Sequence, residues 1–358
     1  MAPHTETKST PIPQAAAQAH AKAAALAELA QNPFTPPWWL RNAHVQTVAA
    51  RYARHVPRPE GLRAERWDTP DGDFLDVYFL DGDPAMPTAL LLHGLEGSID
   101  STYFLGLIQE LARRRWNVAA MEFRSCSGEM NRAARMYHSG ETEDIAFVAS
   151  KLIERDPNVA LYVAGYSLGG NVTTKWFGEM GDGLPPNVRA GAAISAPYDL
   201  VKSAEHMDGL RLSRFYVLHF LRKLVPKAME KDRQHPGVIR LDRARRARTF
   251  HDFDDHATAP LHGFADARDY YTRVSCGQFL PEVRRPLLLL SAADDPFNPG
   301  WTLPRELAAA HPYLHPLFTD FGGHCGWMQR GPDGFDFWAE RRIVEFFEVY
   351  RKNEADRG

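Results

Sequence analysis

Cysteine is scarce, with three residues, Cys126, Cys276 and Cys325, scattered along 358. That is too few for a disulfide framework or a four-ligand zinc site, and an odd number suits a reducing compartment. Long apolar runs are missing too, since nothing approaches the roughly 20 residues a bilayer-spanning helix needs. The clean apolar stretch of a secretory signal is also lacking, because His20, Lys22 and Glu28 interrupt the alanine-rich residues 15–30. These absences predict a cytoplasmic location. Charge is nearly balanced, at 42 basic against 45 acidic side chains and a net of −3. No global field therefore draws the chain to nucleic acid. The segment His251-Asp-Phe-Asp-Asp-His256 holds metal-capable groups at the spacing of no familiar site, so a hydrogen-bonded segment is expected there and no metal.

What is present is an alternation. Continuous apolar runs at 88–93, 117–123, 159–164, 190–195, 286–291 and 316–321 read as strands buried on both faces. Between them lie helical stripes: Phe104, Leu107, Ile108 and Leu111; then Ile145, Val148, Ala149 and Leu152; then residues 168–180. A last helix carries Ala339, Ile343, Phe346, Phe347 and Tyr350 on one face. Two earlier runs, 63–69 and 74–80, flank Asp71-Gly72 as a hairpin. The expectation is an α/β chain with a mostly parallel sheet and helices on both faces.

Residues 33–198 and 272–352 form the expected core, with residues 1–32 as a flexible tail or a polar-studded helix. The tryptophan pair in Phe34-Thr-Pro-Pro-Trp-Trp-Leu40 predicts an ordered lead-in, because two indoles in water are costly. Residues 199–271 break the alternation and read as an inserted lid. Within it, residues 215–225 are expected to pack inward rather than meet a membrane. The basic run Arg243, Arg245, Arg246 and Arg248 reads as a solvated helix face, with contact to anionic lipid headgroups as the alternative.

The chemistry begins at Gly165-Tyr166-Ser167-Leu168-Gly169, a Gly-x-Ser-x-Gly pattern between an apolar strand and a helix. That context predicts a sharp turn that exposes Ser167 as a nucleophile, with small residues two positions to either side. A serine hydroxyl needs a base, and the base needs a carboxylate, in the chain order Ser, Asp or Glu, His. Downstream, one strand runs into Asp294-Asp295-Pro296 and the next into Gly322-Gly323-His324. Asp295 is preferred to Asp294 because Pro296 begins the exit loop, and His324 to His256 and His262 because those precede the acid. The Leu168 N–H, and the Leu95 N–H in His93-Gly-Leu-Glu-Gly97, are candidates for an oxyanion hole. Tyr103 is a candidate lining residue, with packing an equal alternative, and Tyr166 is a second.

These and other segments resemble the YheT-like α/β hydrolases, a group including plant embryogenesis-associated hydrolases and animal abhydrolase-domain lipid hydrolases. The matching stretches are Pro36-Pro-Trp-Trp-Leu-Arg-Asn42, His93-Gly-Leu-Glu-Gly-Ser98, Phe123-Arg-Ser-Cys-Ser-Gly-Glu129 and Tyr137-His-Ser-Gly140. Gly165-Tyr-Ser-Leu-Gly-Gly-Asn171, Ala293-Asp-Asp-Pro296 and Gly322-Gly-His324 complete the set. The resemblance implies an α/β-hydrolase fold, a Ser167, Asp295, His324 triad, esterase or lipase activity, and neither metal nor organic cofactor. The expected partner is a small-molecule ester or lipid of short to medium chain. Acyl transfer to an alcohol, thioester cleavage or a non-catalytic binding module are the rival readings. Ser125 departs from the family's usual glycine, which predicts altered substrate access.

Overall fold

The computed structural model describes residues 12–209, 212–332 and 334–355. Eight strands form one sheet: β1 (Arg63–Asp68), β2 (Phe74–Leu80), β3 (Thr88–Leu92), β4 (Asn117–Met121), β5 (Leu161–Tyr166), β6 (Val188–Ile194), β7 (Leu287–Ala292) and β8 (Leu314–Thr319). Their spatial order is β1-β2-β4-β3-β5-β6-β7-β8. Strands β3 to β8 run parallel, and β2 is antiparallel to both β1 and β4. Every residue of β5 and β7 is buried, as a sheet covered on both faces demands. The β1–β2 hairpin turns at Gly72, which takes the left-handed φ of 78° that glycine adopts without strain.

In chain order the helices are α1 (Ile12–Ala30), α2 (Ala43–Tyr52), α3 (Thr102–Arg113), α4 (Glu143–Arg155) and α5 (Leu168–Met180). Between β6 and β7 come α6 (Leu200–Gly209), α7 (Ser213–Gln234), α8 (Leu241–Ala244), α9 (Phe250–Phe253), α10 (Ala259–His262) and α11 (Ala267–Val274). After β7 follow α12 (Arg305–Ala310) and α13 (Trp338–Ala355). Side chains of α4 and α5 pack on one sheet face, and those of α1, α3 and α13 on the other. A hairpin not foreseen from the sequence, β9 (Met328–Gly331) with β10 (Gly334–Phe337), precedes α13.

Of the two readings offered for 1–32, a flexible tail or a polar-studded helix, residues 12 to 30 take the helix, a stretch rich in alanine, the strongest helix former. Ala25 and Leu29 are buried in the core. Lys22 Nζ donates to the carbonyls of Ala308, Ala309 and His311 at 2.7–2.9 Å, satisfying acceptors at the open C-terminal end of α12. Residues 1–11 lie outside the described residues.

Residues 200–274 build a small core of their own around Met207, Val217, Leu221, Leu224, Phe253 and Ala257. The expected division at 271/272 falls inside α11. The segment around Asp254 is hydrogen-bonded, with its carboxylate accepting from Thr258 Oγ1 and Tyr271 Oη, both at 2.5 Å. Two expectations about burial fail. Phe215 is exposed, although Val217, Leu221 and Leu224 of the same helix point inward. The tryptophan segment is ordered, as a single turn over Trp38–Leu40, yet Trp38 is 81% exposed and Trp39 half exposed.

Candidate active site

Strand β5 delivers Ser167 into a turn that only its neighbours make possible. Ser167 stands at φ 53°, ψ −114°, a conformation costly for a residue with a side chain. A Cβ at position 165 would fall 2.1 Å from the Gly169 carbonyl oxygen, and one at 169 would fall 2.6 Å from that of His93. Glycine is therefore obligatory at both. Helix α5 starts immediately behind Ser167, so its positive end points at the hydroxyl.

The strands after β5 bring the other two residues to it. His324 Nε2 lies 2.9 Å from Ser167 Oγ, and His324 Nδ1 lies 2.8 Å from Asp295 Oδ2. The Phe297 ring stacks on the imidazole with centroids 4.2 Å apart. Asp295 Oδ1 accepts from the Phe297 and Asn298 N–H groups at 2.7 and 3.2 Å, which fixes the carboxylate's rotation. Burial pulls the His324 pKa down, and the Asp295 carboxylate outweighs it, so the imidazole titrates above its ordinary range.

Asp294, the competing acid, does not touch His324. Its Oδ1 accepts from the Gly323 N–H at 2.9 Å, bracing the turn that presents the histidine, and its Oδ2 is buried without a partner. Burial, with the neighbouring Asp295 charge added, pushes the Asp294 carboxyl up to about 6.

Two supports escaped the sequence reading. Helix α2 braces the histidine loop from outside, since the His324 N–H donates to Thr47 Oγ1 at 2.9 Å. Gln46 on the same helix bonds both the N–H and the C=O of Met328. The motif Pro36-Pro-Trp-Trp-Leu-Arg-Asn42 directly before α2 was the available signal; Asn42 caps that helix through the His44 and Val45 N–H groups.

The second support holds the Leu95 loop. A Cβ at position 94 would approach that of Ser167 to 3.2 Å, so the loop lies against the serine. The Leu95 and Leu168 amides bond no acceptor among the described residues and stay available to a developing oxyanion. Glu96, next in line and at φ 52°, is clamped from several sides. Its N–H donates to Tyr137 Oη at 2.9 Å, Tyr137 Oη donates to Glu96 Oε1 at 2.8 Å, and Lys227 of α7 pairs with Glu96 Oε2 at 2.8 Å. Lys223 Nζ adds a bond to the Glu96 carbonyl at 3.2 Å. Glu96→Gln should therefore lower stability by about 1–3 kcal/mol, the usual cost of a broken buried pairing. It should also lower kcat more than it raises KM, which steady-state kinetics and thermal melts on one preparation would check.

A cleft enclosing about 1090 Å3 of empty space, open solvent at its mouth included, rises from Ser167, Leu168 and His324. Its walls are chiefly apolar, with Leu95, Met207, Phe220, Leu224, Phe253 and Phe297 among them. Tyr103 and Tyr166, offered above as lining residues, are not part of the wall. Tyr103 Oη accepts from the Gly94 N–H at 2.9 Å behind the loop, and its ring packs on that of Tyr166 at 4.6 Å. Ser125 is also away from the cleft. It sits at φ 65°, a conformation that glycine adopts with less strain, and its hydroxyl donates to Asn131 Oδ1 at 2.5 Å.

A mostly parallel sheet with a strained serine between strand and helix is the architecture of an α/β hydrolase, and the family model described as the alpha/beta hydrolase fold matches residues 87–328. The chain is 35% identical over 323 residues to YheT of Escherichia coli, named for esterase activity, spanning 88% of this chain and 93% of that one. It is 26% identical to the embryogenesis-associated protein EMB8 of Picea glauca, over 89% of this chain and 73% of the relative. It is 28% identical to Phospholipase ABHD3 of Mus musculus, over 83% and 73%. An esterase of Pyrococcus furiosus shares the fold at a TM-score of 0.52 and 17% identity, covering 83% of this chain and 99% of that structure. The chain belongs to the YheT-like branch of the α/β hydrolases, several of whose members carry the names of esterases or lipases. No helix among the described residues is long and apolar enough to cross a membrane.

Proposed function

We propose that this α/β hydrolase cleaves carboxylic esters of short- to medium-chain acids through an acyl-enzyme on Ser167. His324 Nε2 takes the Ser167 proton as Oγ bonds to the ester carbonyl carbon. The Leu95 and Leu168 N–H groups receive the oxyanion, and His324 returns the proton to the departing alcohol oxygen. Water, deprotonated by the same imidazole, then attacks the acyl carbon, releasing the acid and restoring the Ser167 hydroxyl. Asp295 holds the imidazole in the tautomer that leaves Nε2 free as a base. The observation carrying this reading is the unbroken line from Ser167 Oγ through His324 to Asp295 at the floor of an apolar cleft.

Residues 200–274 serve in this reading as a cap that shapes the acyl site. The cleft suits a small apolar ligand, since such sites are lined mainly by apolar side chains with few polar groups. A chain-length series of p-nitrophenyl esters tests both claims. Activity is expected on short and medium chains. Leu224→Trp, which fills the cleft from α7, should cut kcat/KM for decanoyl esters at least about tenfold relative to butyryl esters. An unchanged chain-length profile would remove the acyl chain from this cleft.

A further inference from the structure

The side of the molecule formed by Trp38–Leu40, α2 and the first turns of α7 gathers several exposed large apolar side chains. It exposes apolar side chains that a water-facing helix ordinarily avoids: Val45, Val48 and Tyr52 at i, i+3 and i+7 along α2, and Phe215 on α7. Trp38, Tyr52 and Phe215 are each about three-quarters exposed or more, at 81%, 75% and 74%. The two helices are neighbours. His44 of α2 bonds Tyr216 Oη of α7 at 3.0 Å with the rings stacked, and the charges of Arg51, Arg222 and Lys223 all act on His219.

The segments that build this side carry charge of one sign. No acidic residue occurs between Glu28 and Glu60, nor between Asp208 and Glu230, in a chain whose net charge is −3. Exposed Arg51, Arg214 and Arg222 have no carboxylate partner among the described residues. Protruding indole, phenol and aliphatic groups set among unpaired guanidiniums suit the boundary between lipid headgroups and acyl chains, where aromatic rings settle and basic residues meet anionic phosphates. The face also leads to the candidate site, because Tyr216 packs on Phe297 at 4.9 Å and Phe297 stacks on His324.

We infer that this face, built from Trp38–Leu40, α2 and the start of α7, docks the protein on the surface of an anionic phospholipid bilayer. Docking turns the aromatic path between α2 and α7 toward the lipid. It is separate from the hydrolytic reading and is measured without turnover.

The test is sedimentation of the full chain with vesicles of phosphatidylcholine alone and of phosphatidylcholine mixed with phosphatidylglycerol. Wild type should partition onto the mixed vesicles and stay in solution with phosphatidylcholine alone. Partition should fall away toward 1 M salt, where screening shortens to about 3 Å. Arg51→Glu with Arg214→Glu should weaken it more than about tenfold, since each basic residue near such a surface contributes roughly fivefold. Tyr52→Ser with Phe215→Ser should weaken it comparably, and both double variants should keep wild-type rates on a soluble short-chain ester, which shows that they fold. Equal binding to both vesicle types, or double variants that bind as wild type does, would overturn the proposal. So would a wild type that ignores vesicles but self-associates until Tyr52 and Phe215 are replaced, which would assign the face to a second copy of the chain.

Discussion

Ser167→Ala is expected to lower kcat/KM on p-nitrophenyl esters by at least about 10⁴-fold while the fold survives. The loss is large because in the proposed mechanism the hydroxyl forms the covalent intermediate, and His324 Nε2 is left facing a methyl group. The Leu95 and Leu168 amides remain, so some rate above that in water persists from oxyanion stabilisation alone. Stability should change by less than about 1 kcal/mol, because among the described residues Ser167 Oγ bonds only His324, and alanine takes the same turn without added bulk. Melting curves and initial rates on one preparation separate the two effects. A mutant that melts as wild type and turns over as wild type would remove Ser167 from the chemistry.

Asp295→Asn is expected to cost about 10⁴ in kcat, whereas Asp294→Asn should cost less than about tenfold. The difference follows from hydrogen-bond polarity. Asp295 Oδ1 is held by two backbone N–H donors, so an asparagine must keep its oxygen there and turn its amide toward His324 Nδ1. That amide donates, which leaves Nδ1 the acceptor and moves the ring proton to Nε2, where it faces Ser167 and removes the base. Asp294→Asn keeps an oxygen for the Gly323 N–H and changes only an oxygen that has no partner.

The pH dependences of the two variants separate them again. In the wild type the carboxylate outweighs burial and raises the imidazole, so the acid limb of kcat/KM should lie above the ordinary histidine range. Asp295→Asn removes the carboxylate's part of that rise and leaves burial opposed only by Cys325, so the limb of any residual activity should move down. Asp294 affects stability instead. Its carboxyl is raised to about 6, so the folded state holds that proton more tightly than the unfolded chain does. The contribution is present at low pH and lost as pH rises through roughly 4 to 6, between the ordinary aspartate value and the raised one. Asp294→Asn should flatten that slope in melting temperature, whereas Asp295→Asn should only lessen it by removing one neighbouring charge.

Most of the sheet was legible because its strands are buried on both faces and read as uninterrupted apolar runs such as Leu287-Leu-Leu-Leu290. The pattern around Ser167 carried similar weight, since the glycine at 165 answers to Gly169 and Thr173 within the same turn, although the one at 169 answers to Leu92 and His93 on a distant strand end. Asp294 and Asp295 could only be ranked, because which carboxylate reaches an imidazole 29 residues away depends on loop geometry. Long-range partners were invisible for the same reason. The Glu96 pairing with Lys227 and the Thr47 bond to His324 each join positions more than a hundred residues apart, and neither leaves a local pattern. Tyr103 and Tyr166 were misplaced because sequence proximity to a site does not say which side of the loop a ring occupies. The tryptophans erred in the opposite direction. Apolar character predicted burial, and the structure sets Trp38 in the open on a face that also carries Tyr52 and Phe215.

The most direct measurement is mass spectrometry of the protein stopped during turnover of a p-nitrophenyl ester, with peptide mapping of the adduct. The account predicts one acyl group per chain on the peptide that carries Ser167, formed with a burst of about one equivalent of p-nitrophenolate and absent from Ser167→Ala. Steady turnover by wild type with the acyl group on another residue, or retained in Ser167→Ala, would contradict it.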